Sequence, residues 1–214
     1  MKSVQIFAPA TVANVGPGYD TFGFAIEQLG DILTVTLRDD NQLVNLPADG
    51  AELPLEEDQN VASVAIRAML DDLGENTGMS IHVRKSFNPG SGLGSSASSA
   101  AGAVFAANEL LGNPYTSHQL LPFALLGEAV ASKSIHADNV APALLGGFQM
   151  ARSYEPLDVF EIPVPEALRV LIIKPEVEVK TSEAKSMLPK QVDIPVARNQ
   201  WANTAALVHA LHTA

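Results

Sequence analysis

Between Pro89 and Gly112 the chain carries three glycines at alternate positions, Gly90, Gly92 and Gly94, and then a run of almost nothing but small residues, SSASSAAGAVFAANELLG. No other stretch limits the fold as strongly. Alternating glycines allow backbone conformations closed to other residues and let the main chain approach a neighbour closely. The small residues that follow form a helix able to lie almost in contact with a sheet. A strand, a glycine loop and a closely packed helix therefore sit in series here, because Met79–Lys85 (MSIHVRK) alternates Met79, Ile81 and Val83 on one face.

The flanking sequence fills in an α+β pattern. Val4, Ile6 and Ala8 predict a strand ending at Pro9, and Asp31–Arg38 (DILTVTLR) predicts a second one. Between them TVANVGPGYDTFG reads as a loop. Gln42–Asp58 is polar and reads as surface hairpin and loop. Asn60–Leu73 reads as a helix, capped by Asn60, stopped by Gly74, with Val61, Val64, Ala65, Ala68 and Met69 on its apolar face. A further helix, opened by Ser117, runs to Lys133, and Gly146–Gly147 turns into a strand at Phe148–Arg152. Strands at Val159–Ile162 and Arg169–Lys174 and helices at Thr181–Leu188 and Val196–His212 complete the reading. The regular alternation of a doubly wound sheet is absent. The order fits two lobes, with the seam in the proline cluster between Ser153 and Ala167, and domains of residues 1–160 and 161–214. A second lobe of so few residues is small for an independent core, and the last helix runs to Ala214 without a stop signal, so a truncated chain is expected.

Composition narrows the function. A formal net charge of -11 repels polyanions, so neither nucleic acid nor an anionic membrane is an expected partner. The chain has no cysteine, which excludes disulfides and thiolate chemistry, and its five histidines form no HExxH pair. No apolar run approaches the roughly 20 residues of a membrane helix, and the N-terminus does not read as a signal peptide. The expected location is cytoplasmic.

Phosphate is the ligand the glycine segment suits. Ser95 and Ser96 stand at the start of the small-residue helix, where free N–H groups and the helix dipole favour an anion. No Gly-Lys-Ser/Thr follows, so the loop is not a Walker A motif, and the spacing Gly-x-Gly-x-x-Ser lacks the third glycine of a dinucleotide fingerprint.

As one piece, Gly-Leu-Gly-Ser-Ser-Ala resembles the central phosphate-binding motif of the GHMP kinases. Three other segments narrow the resemblance to the homoserine kinase branch. APATVANVGPGYDTFGFAI (Ala8–Ile26) is similar to that branch's opening. SIHADNVAPALLGG (Ser134–Gly147) is similar to its His-x-Asp-Asn-x-Ala-Pro segment. EVKTSEAKSMLP (Glu178–Pro189) is similar to its Thr-x-x-Ala-Arg-x-x-Leu-Pro segment. The resemblance implies a ribosomal S5 domain 2-like N-terminal lobe and an incomplete ferredoxin-like second lobe. It also implies ATP held by Asn60 and by Pro89, Gly90, Ser91, Gly92, Leu93, Gly94, Ser95, Ser96, Ala97 and Ser98, with Mg²⁺ held by Ser96 and Glu128. Asn14, Asp20, His136, Asp138, Asn139, Thr181 and Lys185 are the expected contacts of L-homoserine, Asn139 among the catalytic residues with Ser96 and Glu128. The residues themselves leave Asn60 open as a helix cap and Asp20 as a turn residue.

Several departures from the family pattern are visible. Asn88 stands where members often have proline, and position 185 is lysine where arginine is usual, offering a point charge in place of a two-pronged grip on a carboxylate. The family's late Gly-Ser-Gly-Pro motif and second substrate arginine do not occur before Ala214. The activity implied is ATP-dependent phosphorylation of the homoserine side-chain hydroxyl, without a forced assignment of a base; Asp138 and His136 are the candidates if one is used. Other GHMP kinases, and a non-catalytic ligand-binding protein on the same fold, are the competing readings. Members of the family are commonly dimers, so a homodimer is expected.

Overall fold

The computed structural model describes residues 2–132, 135–173 and 187–213. Its spine is a strand of 20 residues, β2 (Gly18–Leu37), which pairs antiparallel along its length with β1 (Ser3–Val15). On the other side β2 is shared. Its second half pairs with β4 (Met79–Arg84), and its first half pairs with β5 (Phe148–Tyr154). β3 (Leu43–Asn45) adds to β4 in parallel and β6 (Leu157–Glu161) adds to β5 antiparallel. The sheet order is therefore β3-β4-β2-β5-β6, with β1 beside β2.

Two strand readings change as a result. β1 does not stop at Pro9. It continues to Val15, and the expected TVANVGPGYDTFG loop is largely a hairpin with a turn at Gly16–Pro17. Proline is tolerated because, among the described residues, β1 pairs only with β2, so no second strand there needs its missing N–H, and the register shifts between Pro9 and Thr11. The polar Gln42–Asp58 segment is no hairpin: its short strand joins β4 in parallel.

Helices α1 (Val61–Leu73), α2 (Ser95–Leu110), α3 (Ser117–Ser132) and α4 (Ala137–Leu145) cover the sheet. α2 and α4 lie directly on β1 and β2, and α1 and α3 pack against α2. Asn60 caps α1, its Oδ1 accepting the Ala62 N–H at 2.9 Å, and Gly74 ends it in the left-handed region. Wedged against both α2 and α3, α1 buries Ala62, Ile66 and Leu70 as well as the expected Ala65 and Met69, while Val61, Val64 and Ala68 stay partly exposed. α3 is capped one residue earlier than the sequence suggested. Thr116 and Gln119 exchange side-chain and backbone hydrogen bonds at 2.9 and 3.4 Å.

α2 is the element the others arrange around. Of its 16 residues, 13 are buried, nearly all alanine, serine or glycine. A Cβ placed on Gly102 would come within 2.7 Å of Leu33 Cδ1 and 2.8 Å of Ala8 Cβ, so the helix already touches the sheet. The main core gathers around it, with Leu33, Val35, Ile66, Met69, Leu70 and Leu120 buried.

Beyond Glu161 the chain returns to the hairpin end of the molecule. The strand expected at Arg169–Lys174 is not formed over Arg169–Ile173, which has no regular structure, and Lys174 lies outside the described residues. The helix expected at Thr181–Leu188 falls mostly outside them too. The final helix, α5 (Ile194–Thr213), is present. Leu207, Val208 and Leu211 join Phe22, Phe148 and Ile162 in a second apolar cluster, and Thr204 Oγ1 donates to the Pro17 carbonyl at 3.1 Å. No helix among the described residues is long and apolar enough to cross a membrane.

Because α2 has no slack against the sheet, Gly102→Val is expected to destabilise the fold by about 1–3 kcal/mol through overpacking, lowering Tm by roughly 3–10 °C, as scanning calorimetry would record.

Candidate active site

The C-terminal end of β4, the glycine loop and the start of α2 form one wall of a cleft of about 650 Å³. Gly90, Gly92 and Gly94 all adopt positive φ, between 63° and 77°. Gly94 is the tightest. A Cβ there would lie 2.0 Å from Thr11 Oγ1 and 2.8 Å from Asn139 Oδ1, so only glycine lets the loop close against β1 and α4. Thr11 fastens that contact twice. Its N–H donates to the Leu93 carbonyl at 3.0 Å, and its hydroxyl donates to Asn139 Oδ1 at 2.8 Å.

Gly94 is the N-cap of α2, and no side chain caps that end. The first-turn N–H groups have no partner within the helix, and Ser95 and Ser96 line the cleft. The buried hydroxyls of Ser91 and Ser95 have no hydrogen-bond partner among the described residues. Uncapped donors and two orphaned hydroxyls around positive-φ glycines make a cradle for an oxyanion.

Glu128, on α3, reaches the same space although it is only 4% exposed. Its Oε1 lies 3.9 Å from Nδ1 of His136, the residue that caps α4. A carboxylate with serine hydroxyls is a hard-oxygen set, the kind Mg²⁺ takes together with phosphate and water. The residues present therefore fit that ion.

The far end of the cleft is made by the β1–β2 hairpin. Asn14 and Asp20 both hold left-handed conformations, φ 57° and 50°, and Asn14 Oδ1 accepts the Asp20 N–H at 2.9 Å. Non-glycine residues in this region carry strain that the surroundings must enforce. Behind them stands Tyr154, on β5. Its hydroxyl donates to the Asp20 carbonyl at 3.4 Å and accepts the Ala137 N–H at 3.3 Å, joining the hairpin to the start of α4. Burial, and then the charge of Asp138, pushes the Tyr154 phenol up to about 12.

The expected site residues thus separate into groups. Asn14, Asp20, Asn60, Glu128, His136 and Asn139 meet at the cleft, together with Pro89, Gly90, Ser91, Gly92, Gly94, Ser95 and Ser96. Asn60 keeps its role as a cap and also donates from Nδ2 to the Pro54 carbonyl at 2.6 Å, fixing the outer wall. Leu93, Ala97 and Ser98 do not line it. Leu93 turns to the other side of the loop, Ala97 is buried in the core, and the Ser98 hydroxyl donates to the Ala8 carbonyl at 2.9 Å. One helical turn spreads consecutive side chains around the axis, so a continuous motif cannot face a ligand at every position. Asp138 is 1% exposed and sits beneath the surface of the cleft. Thr181 and Lys185 lie outside the described residues.

Sequence reasoning missed Thr11, Tyr154 and a buried pair under the loop, Lys85 and Asp31. The side chains of this pair are 1% and 0% exposed and form an ion pair. Thr11 lies within Ala8–Ile26, where no local pattern marks it as a contact of the glycine loop. Nothing in the sequence signals that Lys85 and Asp31, 54 positions apart, should meet.

A glycine loop entering an uncapped helix, the buried carboxylate of Glu128 in the same cleft and a polar hairpin beyond fit a kinase of the GHMP class. The GHMP kinases N terminal domain model matches residues 60–147. Over 99% of its length, and 70% of the relative's, the chain is 44% identical to homoserine kinase of Chloroherpeton thalassium. The crystal structure of homoserine kinase from Cytophaga hutchinsonii superposes with a TM-score of 0.94 at 46% identity, covering 99% of this chain and 68% of that one. The mevalonate kinase of Methanococcus jannaschii shares the fold alone, at 16% identity and a TM-score of 0.60, over 75% of this chain and 56% of its own. The chain belongs to the homoserine kinase family.

The raised phenol gives a pH signature. The unfolded tyrosine loses its proton near 10.0 and the folded one near 12, so stability from this group is fully present below about pH 10 and is lost as pH rises towards 12. Tyr154→Phe is expected to flatten the stability curve across that window, measured by urea unfolding at several pH values.

Proposed function

We propose that the cleft transfers the γ-phosphoryl group of ATP to the side-chain hydroxyl of L-homoserine, giving O-phospho-L-homoserine and ADP, a step of threonine biosynthesis. The observation that carries this reading is the meeting, in one cleft, of the uncapped start of α2, the buried Glu128 and the Asn14–Asp20 hairpin, in a chain of this family. Residues 1–160 would serve as the ATP-binding lobe and 161–214 as the opening of the second.

In this reading the loop N–H groups and the Ser91 and Ser95 hydroxyls receive the phosphates, and Asn60 and the segment around Pro54 flank the base. Glu128 and Ser96 would hold Mg²⁺, which supplies charge neutralisation on the phosphate oxygens. Such help matters in a protein of net charge -11, because Lys85, the one lysine or arginine among the described lining residues, is already paired with Asp31. Asp20 offers a carboxylate to the substrate ammonium. Asn14, His136 and Asn139 contribute polar contacts beside it, with Asp138 behind them and Thr181 and Lys185 as further proposed contacts.

Transfer forms the bond from the substrate hydroxyl oxygen to phosphorus and breaks the bond from phosphorus to the bridging oxygen of ADP. The hydroxyl proton is released. Little covalent chemistry is asked of the protein, so positioning and charge balance supply the rate. If a base takes part, His136 and Asp138 are the candidates to test.

ADP release should depend on L-homoserine and not on mevalonate or galactose when the purified chain is given ATP and Mg²⁺; equal turnover with another acceptor would reassign the substrate, and ATP binding without turnover would leave a binding protein. Asn139→Ala is expected to lower kcat at least ~100-fold, on the order of a well-placed contact in the transition state, with ATP affinity reduced no more than about tenfold by the lost Thr11 hydrogen bond, whereas a larger loss of ATP affinity would move Asn139 to the nucleotide.

A further inference from the structure

Lys85 follows β4 directly and lines the cleft beside the glycine loop, and among the described residues its hydrogen bonds go to Asp31, Ser95 and Ser99. Its ammonium pairs with the fully buried Asp31, donates to the Ser95 carbonyl at 2.9 Å and to Ser99 Oγ at 3.2 Å, and stands 5.0 Å from the centre of the Phe87 ring. Asp31, on β2, is equally committed. It accepts from the Ser86 N–H at 3.0 Å and from the Ser98 hydroxyl at 3.2 Å. The pair thus joins β2, the end of β4 and three serines of the first turns of α2.

A buried ion pair is a weak source of net stability, because desolvation offsets most of the attraction. Burial accordingly pushes the Lys85 ammonium down from its ordinary value, against the pull of Asp31. The main apolar core already holds α2, so a charged pair adds little to the fold that alanines and leucines do not supply. What it adds is direction. The ammonium fixes the Ser95 carbonyl, and with it the peptide planes of the turn whose N–H groups face the cleft. The Ser99 hydroxyl can accept from Lys85 and donate to the Ser95 carbonyl at 3.3 Å, which closes the arrangement.

We infer that Lys85, held by Asp31, is a positioning residue that sets the orientation of the first turn of α2 for the nucleotide phosphates without itself supplying charge to them. This rests on the ATP reading given above. The partners of the pair all lie at the phosphate end of the cleft or behind it, so its loss weakens ATP binding and leaves the amino-acid end unaltered.

The test separates orientation from folding. Lys85→Met alone strands a buried carboxylate and is expected to lower Tm by roughly 10 °C. The double variant Lys85→Met/Asp31→Asn removes both charges while retaining an acceptor for the Ser86 N–H. It should recover Tm to within roughly 4 °C of wild type. Its Kd for ATP, by titration calorimetry, should nevertheless remain raised roughly 10- to 100-fold, with the KM for L-homoserine within twofold. Recovery of both Tm and ATP affinity would overturn the inference and leave the pair a fold element. If the double variant does not fold, Ser99→Ala decides. Both capacities of that hydroxyl are taken up by Lys85 and Ser95, so ATP Kd should rise at least twofold at nearly unchanged Tm, and an unchanged Kd would sink the idea. A wild-type chain that binds no ATP would remove the nucleotide reading and this inference together, whereas tight wild-type binding with an unaffected double variant would remove the inference alone.

Discussion

How closely α2 approaches the sheet governs the rest of the molecule. A helix with larger side chains would stand farther from the strands, and the loop feeding it would miss β1. Here Gly102 and its alanine neighbours bring the axis down until side chains of β1 and β2 touch the helix backbone. That descent allows Gly94 to lodge between Thr11 and Asn139, and brings the Ser98 hydroxyl to the Ala8 carbonyl. The small residues are therefore a geometric requirement of the cleft as well as core packing.

The second constraint is charge. An acidic chain that handles a polyanion has to gather favourable potential locally. It does so with main-chain dipoles and hydroxyls, and it spends the nearby lysine on Asp31. The walls contribute carboxylates, Glu128 at one place and Asp20 at another. Carboxylates beside uncapped N–H groups offer partners to a cation and to a phosphate alike, which suits the proposed substrate with its ammonium group and a phosphate donor accompanied by a divalent metal ion.

Local chemistry was legible in the sequence wherever a short segment carried it. The Asn60 cap, the Gly74 stop, the alternation of β4 and the glycine loop with its helix all depend on neighbours within a few residues, and the structure contains each of them. Readings failed where distant segments decided the outcome. β1 runs past Pro9 because it lies at the edge of the sheet, a fact set by pairing. Ser98 belongs to the motif but faces the core, since helical phase, not motif membership, aims a side chain. Lys85 reads as the end of a strand, and its partner Asp31 lies 54 residues away in the sequence. The family resemblance supplied Glu128, His136 and Asn139, and the fold brings all three to one cleft.

Helix α5 meets the molecule at the hairpin turn. Gln200 and Thr204 both hold the Pro17 carbonyl, and Leu207 packs beside Gly16. Asn14 and Asp20 flank that turn in left-handed conformations that relaxed peptides avoid. The turn is thus gripped from outside like the short arm of a lever, with a helix of 20 residues as the long arm. A displacement of that helix would pass through the Pro17 carbonyl to Asn14 and Asp20, so a residue 187 positions later in the chain would share control of the end of the cleft proposed for the amino acid.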